Sequence, residues 1–138
     1  MTRVKPIALT AADDARGLLV AAQFPEQLPF APERTFIISQ SPVGVVRGGH
    51  AHRVCHQVLI AVGGRVKVEW DDDDGTQTVV LDNASTGLHI PPLAWAQQTY
   101  LDSACVLVAL ASHQYDVNDY VDDRAQAGVL REQARLKA

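Results

Sequence analysis

The residue pattern with the clearest chemistry in this chain is a pair of histidines, His50 and His52, which follows Arg47 and two glycines in the run VVRGGHAHR. Side chains alternate between the two faces of a strand, so an H-x-H pair places both imidazoles on one face. Imidazole titrates near neutral pH, so such a pair can exchange protons or bind a metal ion. The glycines let the backbone bend tightly and approach a ligand closely. The run therefore predicts a chemical centre.

The segments around this run predict short strands. Residues 57–62 are apolar, Gly63-Gly64 is a hairpin signal, and residues 65–70 alternate between apolar and polar side chains. Residues 71–75, four aspartates followed by Gly75, predict a second turn. Further strands are expected at residues 18–22, 35–39, 78–81, 87–90 and 104–111.

The spacing of these segments predicts the fold class. Strands at intervals of about ten residues, separated by Gly, Pro and Asp turns, are typical of an all-β sandwich or jelly-roll barrel. The 138 residues contain no linker and no clear repeat, so we expect a single domain. Helical character is expected only within residues 124–138, where Gly128 interrupts the pattern and a frayed tail is an equal alternative.

Composition excludes several classes of function. The net charge of −4 argues against nucleic acid as a partner. No segment approaches the ~20 apolar residues of a membrane span, and no signal peptide is recognisable, so we expect a cytoplasmic protein without membrane contact. Cys55 and Cys105 lie far apart, which favours free thiols in a reducing compartment.

The histidine pair is similar to the start of the metal motif of the cupin superfamily, in which an acid and a later histidine complete the site. Gln57 stands where the acid would be, and Ala96 where the later histidine would be. An amide is a weak ligand and a methyl group is none, so we do not expect a metal. Two alternatives stay open. One is a metal-dependent cupin oxygenase whose metal is held by His50 and His52 with help from His56 or His89, and the other is a histidine pair with no chemistry.

A longer set of landmarks accompanies the histidine run. They are Asp14-x-Arg16-Gly17, Arg47 to Arg53, Gln57, Gly64, Asp73-Asp74-Gly75, Gly87-Leu88, Pro91 or Pro92, Trp95, and Ala111-Ser112-x-x-Tyr115-Asp116-x-x-Asp119-Tyr120. Together they resemble the pattern of one family, the nucleotide-sugar 3,4-ketoisomerases or WxcM-like cupins. The likeness runs from about residue 14 to residue 122, and it implies a cupin-type double-stranded β-helix over residues 1–138 with its core at about 14–122 and a short C-terminal helical tail at 123–138.

The resemblance implies a metal-independent isomerase that needs no cofactor. Its substrate would be dTDP-4-keto-6-deoxy-glucose, whose carbonyl moves from C4 to C3 through an enediolate on the way to deoxysugars and surface polysaccharides. A base with a pKa near the working pH suits such proton transfer. His50 is then the principal base, and His52 moves the proton between the two oxygens or delivers it at C4.

The resemblance also suggests roles for other residues. Arg16 is expected to be catalytic, and Arg16 or Arg47 to stabilise the enediolate or grip the diphosphate. Gln57, Trp95 and Arg53 complete the set as substrate-binding residues. Trp95 follows a proline turn, which favours a ligand wall over plain core, whereas a surface salt bridge is an equal alternative for Arg53.

Two departures from the family pattern bear on activity. The strand that usually carries tyrosines has Phe36 and Ile37, and the usual Trp-His pair is Trp95-Ala96. Both changes remove hydrogen-bonding groups, so slower catalysis, another substrate or a non-catalytic binding module are alternatives. Tyr100, His89 or Gln98 are candidate replacement donors.

The resemblance implies a homodimer. The apolar segment at residues 7–9 is the candidate for a strand that crosses to the sheet of a second subunit.

Overall fold

The computed structural model describes residues 1–138, and strands dominate its regular secondary structure. No helix in it is both long enough and apolar enough to span a bilayer. A short 3-10 helix at Val117–Asp119 precedes the last strand, and α1, Arg124–Lys137, ends the chain. The strands are β1 Lys5–Ala8, β2 Thr10–Asp14, β3 Gly17–Ala21, β4 Arg34–Ser39, β5 Val46–His52, β6 Gln57–Gly63, β7 Val66–Asp72, β8 Gly75–Leu81, β9 Thr86–Ile90, β10 Trp95–Tyr100, β11 Val106–Ala111 and β12 Tyr120–Val121.

Two five-stranded antiparallel sheets form the barrel. Their strand orders are β1-β9-β6-β11-β4 and β12-β5-β10-β7-β8, while β2 and β3 pair only with each other. The main core contains apolar side chains of both sheets, among them Leu59, Leu107, Val68 and Tyr100. The expected all-β jelly roll with a C-terminal helix is therefore present.

Strand β6 explains why one segment of the sequence is continuously apolar. Leu59 and Ala61 belong to the core between the sheets. Val58 and Ile60 point the other way and pack under Leu28 and Phe30 in a second cluster. A strand that is covered on both faces needs apolar residues at every position, in place of an alternating pattern.

The glycines before the histidines form a β-bulge. Across the β5–β10 pairing, Ala96 lies opposite His50 but Gln97 lies opposite Gly48, so Gly49 is the extra residue. Gly48 and Gly49 have φ of +82° and +79°, values that favour glycine. The bulge ends immediately before the histidine pair and so fixes the direction in which the two imidazoles point.

Gly64 is the glycine whose replacement we expect to destabilise the fold most. Its φ is +65°, and an added Cβ would lie 2.7 Å from the Cys105 nitrogen and against the Asp102 carboxylate. Gly64→Ala should lower the free energy of unfolding by about 3 kcal/mol, because overpacking adds to the left-handed strain. Urea denaturation measures this loss.

Gly75→Ala is the matched control for this prediction. Gly75 has φ of +97°, yet an added Cβ there meets nothing within 4 Å. Only the backbone strain of about 1 kcal/mol is expected. Equal losses in the two variants would show that steric overlap at Gly64 is unimportant.

The apolar N-terminal segment forms a strand. Residues 5–8 make up β1, which pairs with β9 of the same chain. The element that lacks a neighbouring sheet is the β2–β3 hairpin. Leu18 and Leu19 on this hairpin are 50% and 64% exposed.

The C-terminal segment is a docked helix, so the alternative of a frayed tail is wrong. Asp123 caps α1 by accepting a hydrogen bond from the Gln126 nitrogen, and the helix continues through Gly128. Ala127 packs against Ala51 and other buried side chains on the outer face of the second sheet. That packing stabilises the helix although glycine is a poor helix former.

Candidate active site

The two histidines of β5 lie together at one end of the barrel. Their ring centroids are 5.1 Å apart in an edge-to-face arrangement. The Tyr120 ring packs against both, at 4.6 Å from His50 and 4.5 Å from His52. Tyr120 reaches them because β12 pairs with β5, with Tyr120 directly opposite His52. The imidazoles thus share one face, as the H-x-H spacing predicts.

His50 faces a cavity of about 130 Å³. Its polar lining combines an imidazole, a guanidinium, two amides and a phenol, while its floor is apolar. The polar lining residues are Arg47, His50, Gln57, Gln98 and Tyr120, and the others are Phe36, Ile38, Gly48, Leu59 and Leu107. A small cavity that combines an apolar floor with convergent polar groups is typical of a small-molecule site.

His52 lies behind this cavity and is held from both sides. Its Nδ1–H donates to Asp119 Oδ2 at 3.0 Å, and its Nε2 accepts from the Gln57 amide at 3.3 Å. The other Asp119 oxygen accepts from the Val54 nitrogen at 2.7 Å. Because an ionised carboxylate only accepts, Asp119 fixes the proton of His52 on Nδ1.

The surroundings lower the pKa of both imidazoles and so favour their neutral forms. Burial, followed by the neighbouring His52, lowers the pKa of His50 below 6.5. Burial also lowers the pKa of His52, although Asp119 opposes this effect. Burial alone would raise the pKa of Asp119, but hydrogen bonds from the Val54 nitrogen and from His52 outweigh it and lower that pKa. A neutral imidazole in a cavity can act as a base.

The structure brings only part of the predicted site together. Arg47 and Gln57 line the cavity with His50, as expected of binding residues. Arg53 is exposed and does not line the cavity. Its backbone nitrogen instead donates to the Asp119 carbonyl.

Trp95 lies on the opposite face of its sheet from the cavity, which corrects the expectation of a ligand wall. Along β10 the side chain of Ala96 points into the barrel core. Trp95 therefore points outward, where it packs beneath α1 against Ala127. The Arg124 guanidinium lies 4.2 Å from its ring centre. Trp95 thus anchors the helix.

Arg16 lies on the exposed β2–β3 hairpin, and this chain does not place it near the histidines. Its guanidinium pairs with Asp14 at 2.7 Å, and its side chain is 90% exposed. Arg16 and Asp14 line a separate cavity of about 280 Å³ formed by the hairpin alone. Within one chain it therefore has no contact with the catalytic centre.

Of the three candidate replacement donors, Tyr100, His89 and Gln98, only Gln98 lies at the cavity. Phe36 forms part of the cavity wall, and Gln98 does line the cavity. Tyr100 is fully buried in the core, and its hydroxyl has no partner. A hydrogen bond of 2.9 Å joins His89 Nε2 to His56 Nδ1. Both rings lie on the outer side of the sheet, next to Phe30.

The barrel interior does not offer the usual metal ligands of a cupin. Gln57 presents a neutral amide to His52, and Ala96 faces His50 across the β5–β10 pairing with only a methyl group. This donor set does not fit a divalent ion held between the two imidazoles.

Asp119 and Tyr120 are the functional residues that sequence reasoning missed. In the sequence, both residues were recognised only as members of a family landmark, and neither was given a role. The signal was present in the landmark Tyr115-Asp116-x-x-Asp119-Tyr120, which resembles the family pattern. A buried histidine that works as a base commonly needs a carboxylate to orient it. That rule could have directed attention to an acid in this landmark.

Comparison with known proteins decides the family. The model of the FdtA family, described as WxcM-like, C-terminal, matches residues 2–130. The chain belongs to the WxcM-like family. The resemblance inferred from the sequence is therefore confirmed, and with it the cupin-type fold.

The relatives of this WxcM-like protein include named enzymes. A TDP-4-oxo-6-deoxy-alpha-D-glucose-3,4-oxoisomerase from Aneurinibacillus thermoaerophilus is 36% identical over 108 residues, which are 78% of each chain. The crystal structure of QdtA, a sugar 3,4-ketoisomerase from Thermoanaerobacterium thermosaccharolyticum in complex with TDP, is 30% identical. It superposes with a TM-score of 0.89 over 95% of this chain and 96% of that chain.

A His-to-Asn mutant of the same QdtA enzyme has been solved in complex with TDP-4-keto-6-deoxyglucose. It is 30% identical to this chain and has a TM-score of 0.89, with 94% of each chain covered. The relatives are thus isomerases of TDP-linked keto sugars, and their fold is shared along nearly the whole chain.

Proposed function

We propose that this WxcM-like protein is a TDP-sugar 3,4-ketoisomerase that converts TDP-4-keto-6-deoxy-glucose to its 3-keto isomer. The observation that carries the proposal is the pair of imidazoles on one face of β5, one facing a small cavity and the other held by a buried carboxylate. A relative with 36% identity is named for the same reaction.

The reaction requires one carbon-bound proton to leave and another to arrive. His50 removes the proton from C3, and the C–H electrons form the C3=C4 double bond while the C4 carbonyl oxygen gains the charge. The C3 hydroxyl then loses its proton as the C4 oxygen gains one. His50 returns a proton to C4, and the C3 carbonyl forms. No oxidant or external acid is consumed, because the sugar gains as many protons as it loses.

His52 and Tyr120 are the groups we assign to the transfer between the two oxygens. Tyr120 lines the cavity and contacts both imidazoles, so it can link a sugar oxygen to His52. Asp119 stabilises the imidazolium that forms when His52 takes a proton. Each member of this set is within ring contact or hydrogen-bond distance of the next.

Arg47 and the two cavity amides bind the substrate in this proposal. The Arg47 guanidinium, on an exposed part of β5 at the cavity, suits the enediolate oxygens or the diphosphate. Gln57 and Gln98 can donate to the sugar oxygens. A cavity of about 130 Å³ accommodates the sugar alone, so the nucleotide lies outside it.

Solvent deuterium tests this function directly. The protein is incubated with TDP-4-keto-6-deoxy-glucose in deuterated water, and proton NMR follows the sugar. We expect loss of the C3 hydrogen signal, deuterium at C4 and a growing 3-keto product. Unchanged substrate at high protein concentration would refute the activity.

A second candidate function is favoured by the two departures from the family pattern. Phe36 and Ala96 supply no hydrogen bond, so the site can bind a TDP-sugar without turning it over. Calorimetry with TDP and several TDP-4-keto sugars, combined with the deuterium experiment, distinguishes an isomerase from a binding module. Tight binding with no deuterium exchange in any of them identifies a binding module.

We also propose that the protein acts as a homodimer whose β2–β3 hairpin packs against a second copy. The hairpin exposes Leu18 and Leu19, and the outer face of the first sheet exposes Ile37 and Val62. Covering such side chains stabilises by about 25 cal/mol per Å² of apolar surface. Such packing would also bring Arg16 to the cavity of the second copy. This would explain why Arg16 lies away from the histidine pair within one chain.

Subunit complementation tests the shared site. We expect Arg16→Ala and His50→Asn to be nearly inactive alone, but an equal mixture, refolded together, to regain up to about a quarter of the wild-type activity. Half of the dimers are then mixed, and each has one intact site. Light scattering checks the dimer, and a mixture that stays inactive contradicts a site built from two chains.

A further inference from the structure

A second group of chemically competent side chains lies behind the histidine pair. His52, Cys55 and Asp119 each offer one donor atom, and these atoms lie within 4.8 Å of one another. His52 ends β5, Cys55 lies in the short link to β6, and Asp119 immediately precedes β12. All three are buried, with exposures between 2% and 8%.

The donor types suit a thiophilic divalent cation. Imidazole nitrogen, thiolate sulfur and carboxylate oxygen are the ligands of zinc, with bonds of about 2.0, 2.3 and 2.1 Å. Tetrahedral bonds of these lengths place donors about 3.3–3.7 Å apart. The His52 nitrogen and the Asp119 oxygen are already 3.0 Å apart, so mainly the thiol must approach.

The Cys55 thiol can move toward the other two donors and lose only weak contacts. Its Sγ makes only a 3.3 Å contact to the His56 carbonyl and a 3.8 Å contact from the Ser112 hydroxyl. The backbone on either side of Cys55 is held by hydrogen bonds to Asp119 and Ser112, so the approach is a rotation of the Cys55 side chain.

The group is reached from a different side than the sugar cavity. Asp119 lines a cavity of about 410 Å³, whereas the cavity at His50 does not include it. Glu33, Asp116 and His113 share that larger cavity. The carboxylates give this cavity a negative potential, which attracts a cation. The cavity also has room for a water molecule as the fourth zinc ligand.

We propose that His52, Cys55 and Asp119 form an inhibitory zinc site that takes Zn²⁺ or Cd²⁺ from this cavity. The Cys55 thiol loses its proton to solvent and its sulfur bonds to the metal. The proton on His52 Nδ1 moves to Nε2, and the freed Nδ1 lone pair bonds to the metal. The Asp119 carboxylate exchanges its hydrogen bond for the third bond.

Metal binding and isomerisation compete for His52. In the metal-bound form its Nε2 carries a proton and its Nδ1 is occupied, so the ring can accept no further proton. The loss of activity rests on the proposed function, because it requires His52 to move protons. The site itself does not depend on that function, and it lies on the Nδ1 side of His52, away from the barrel interior where Gln57 contacts Nε2.

Cadmium titration is the test that does not require activity. Cd²⁺ is added to the metal-free protein, and the ultraviolet charge-transfer band of a Cd²⁺–thiolate bond is recorded for the wild type, Cys55→Ser and Cys105→Ser. Cys105 is the matched control because it is also buried and free but contacts Arg65 and Asp102 elsewhere. We expect the band in the wild type and Cys105→Ser and its loss in Cys55→Ser.

Inhibition by Zn²⁺ gives the second readout. Cys55→Ser should keep the basal isomerase activity and weaken inhibition by at least about 100-fold, beyond the ~10–100-fold effect of an outer-shell change. A chelator should restore wild-type activity. Equal bands and equal inhibition in Cys55→Ser would overturn the site. A protein that shows the band but turns over no keto sugar retains the site and loses only the proposed function.

Discussion

Replacement of His50 by Asn should reduce the rate of isomerisation by at least about 10³-fold, the loss typical of removing a general base. Asparagine has a similar size and can still hydrogen-bond, but its amide cannot take the C3 proton. His50 is the only imidazole that lines the cavity, so no neighbouring base has the same access. Deuterium exchange at C3 measures the step in which the proton leaves.

The control for this variant is substrate binding. TDP affinity measured by calorimetry should stay within a few-fold of the wild type, because His50 contacts the sugar in our proposal and not the nucleotide. The wild-type rate should fall as pH drops through a pKa below 6.5, since burial lowers the pKa of His50 and the protonated ring is no base. A variant with more than a tenth of the wild-type exchange rate would exclude His50 as the base.

Replacement of Asp119 by Asn should lower kcat by about 10²–10⁴-fold with a much smaller change in KM. The amide keeps the size of the carboxylate but removes the charge that stabilises a protonated His52. The amide can also turn its NH₂ group toward Nδ1, which would favour the wrong tautomer of the imidazole. The expected loss is therefore in the proton transfer and not in the binding of substrate.

A pH profile separates this role from a merely structural one. Asp119 raises the pKa of His52 against the effect of burial, so its neutralisation should move that pKa further down. The part of the profile controlled by His52 should shift to lower pH in Asp119→Asn. Asp116→Asn is the matched control, because Asp116 caps the neighbouring 3-10 helix and does not contact His52. Equal losses of kcat in both variants would indicate damage to the segment as a whole.

Much of the barrel could be predicted from local patterns. Strand β7 alternates between apolar and polar residues, and β6 and β11 are continuously apolar, so their positions follow from periodicity. Strand β10, with the sequence WAQQTY, was missed because half of it is polar amides and hydroxyls. Its polar residues are explained by the site, since Gln98 faces the cavity.

The side on which Trp95 lies could not be predicted from its turn. Its direction depends on the register of β10, in which Ala96 lies opposite His50. A shift of one residue would exchange the two faces and bring the indole into the barrel. Register is set by pairing with β5 and β7 and by the helix that covers the outer face.

The amino-acid sequence alone determined the family, the all-β fold and the shared face of His50 and His52, because a strand's alternation is a local property. Only the tertiary structure decided which groups act on those imidazoles. Asp119 is separated from His52 by 67 residues along the chain and meets it at 3.0 Å. Closure of the barrel brings β12 beside β5, and no local pattern encodes that contact.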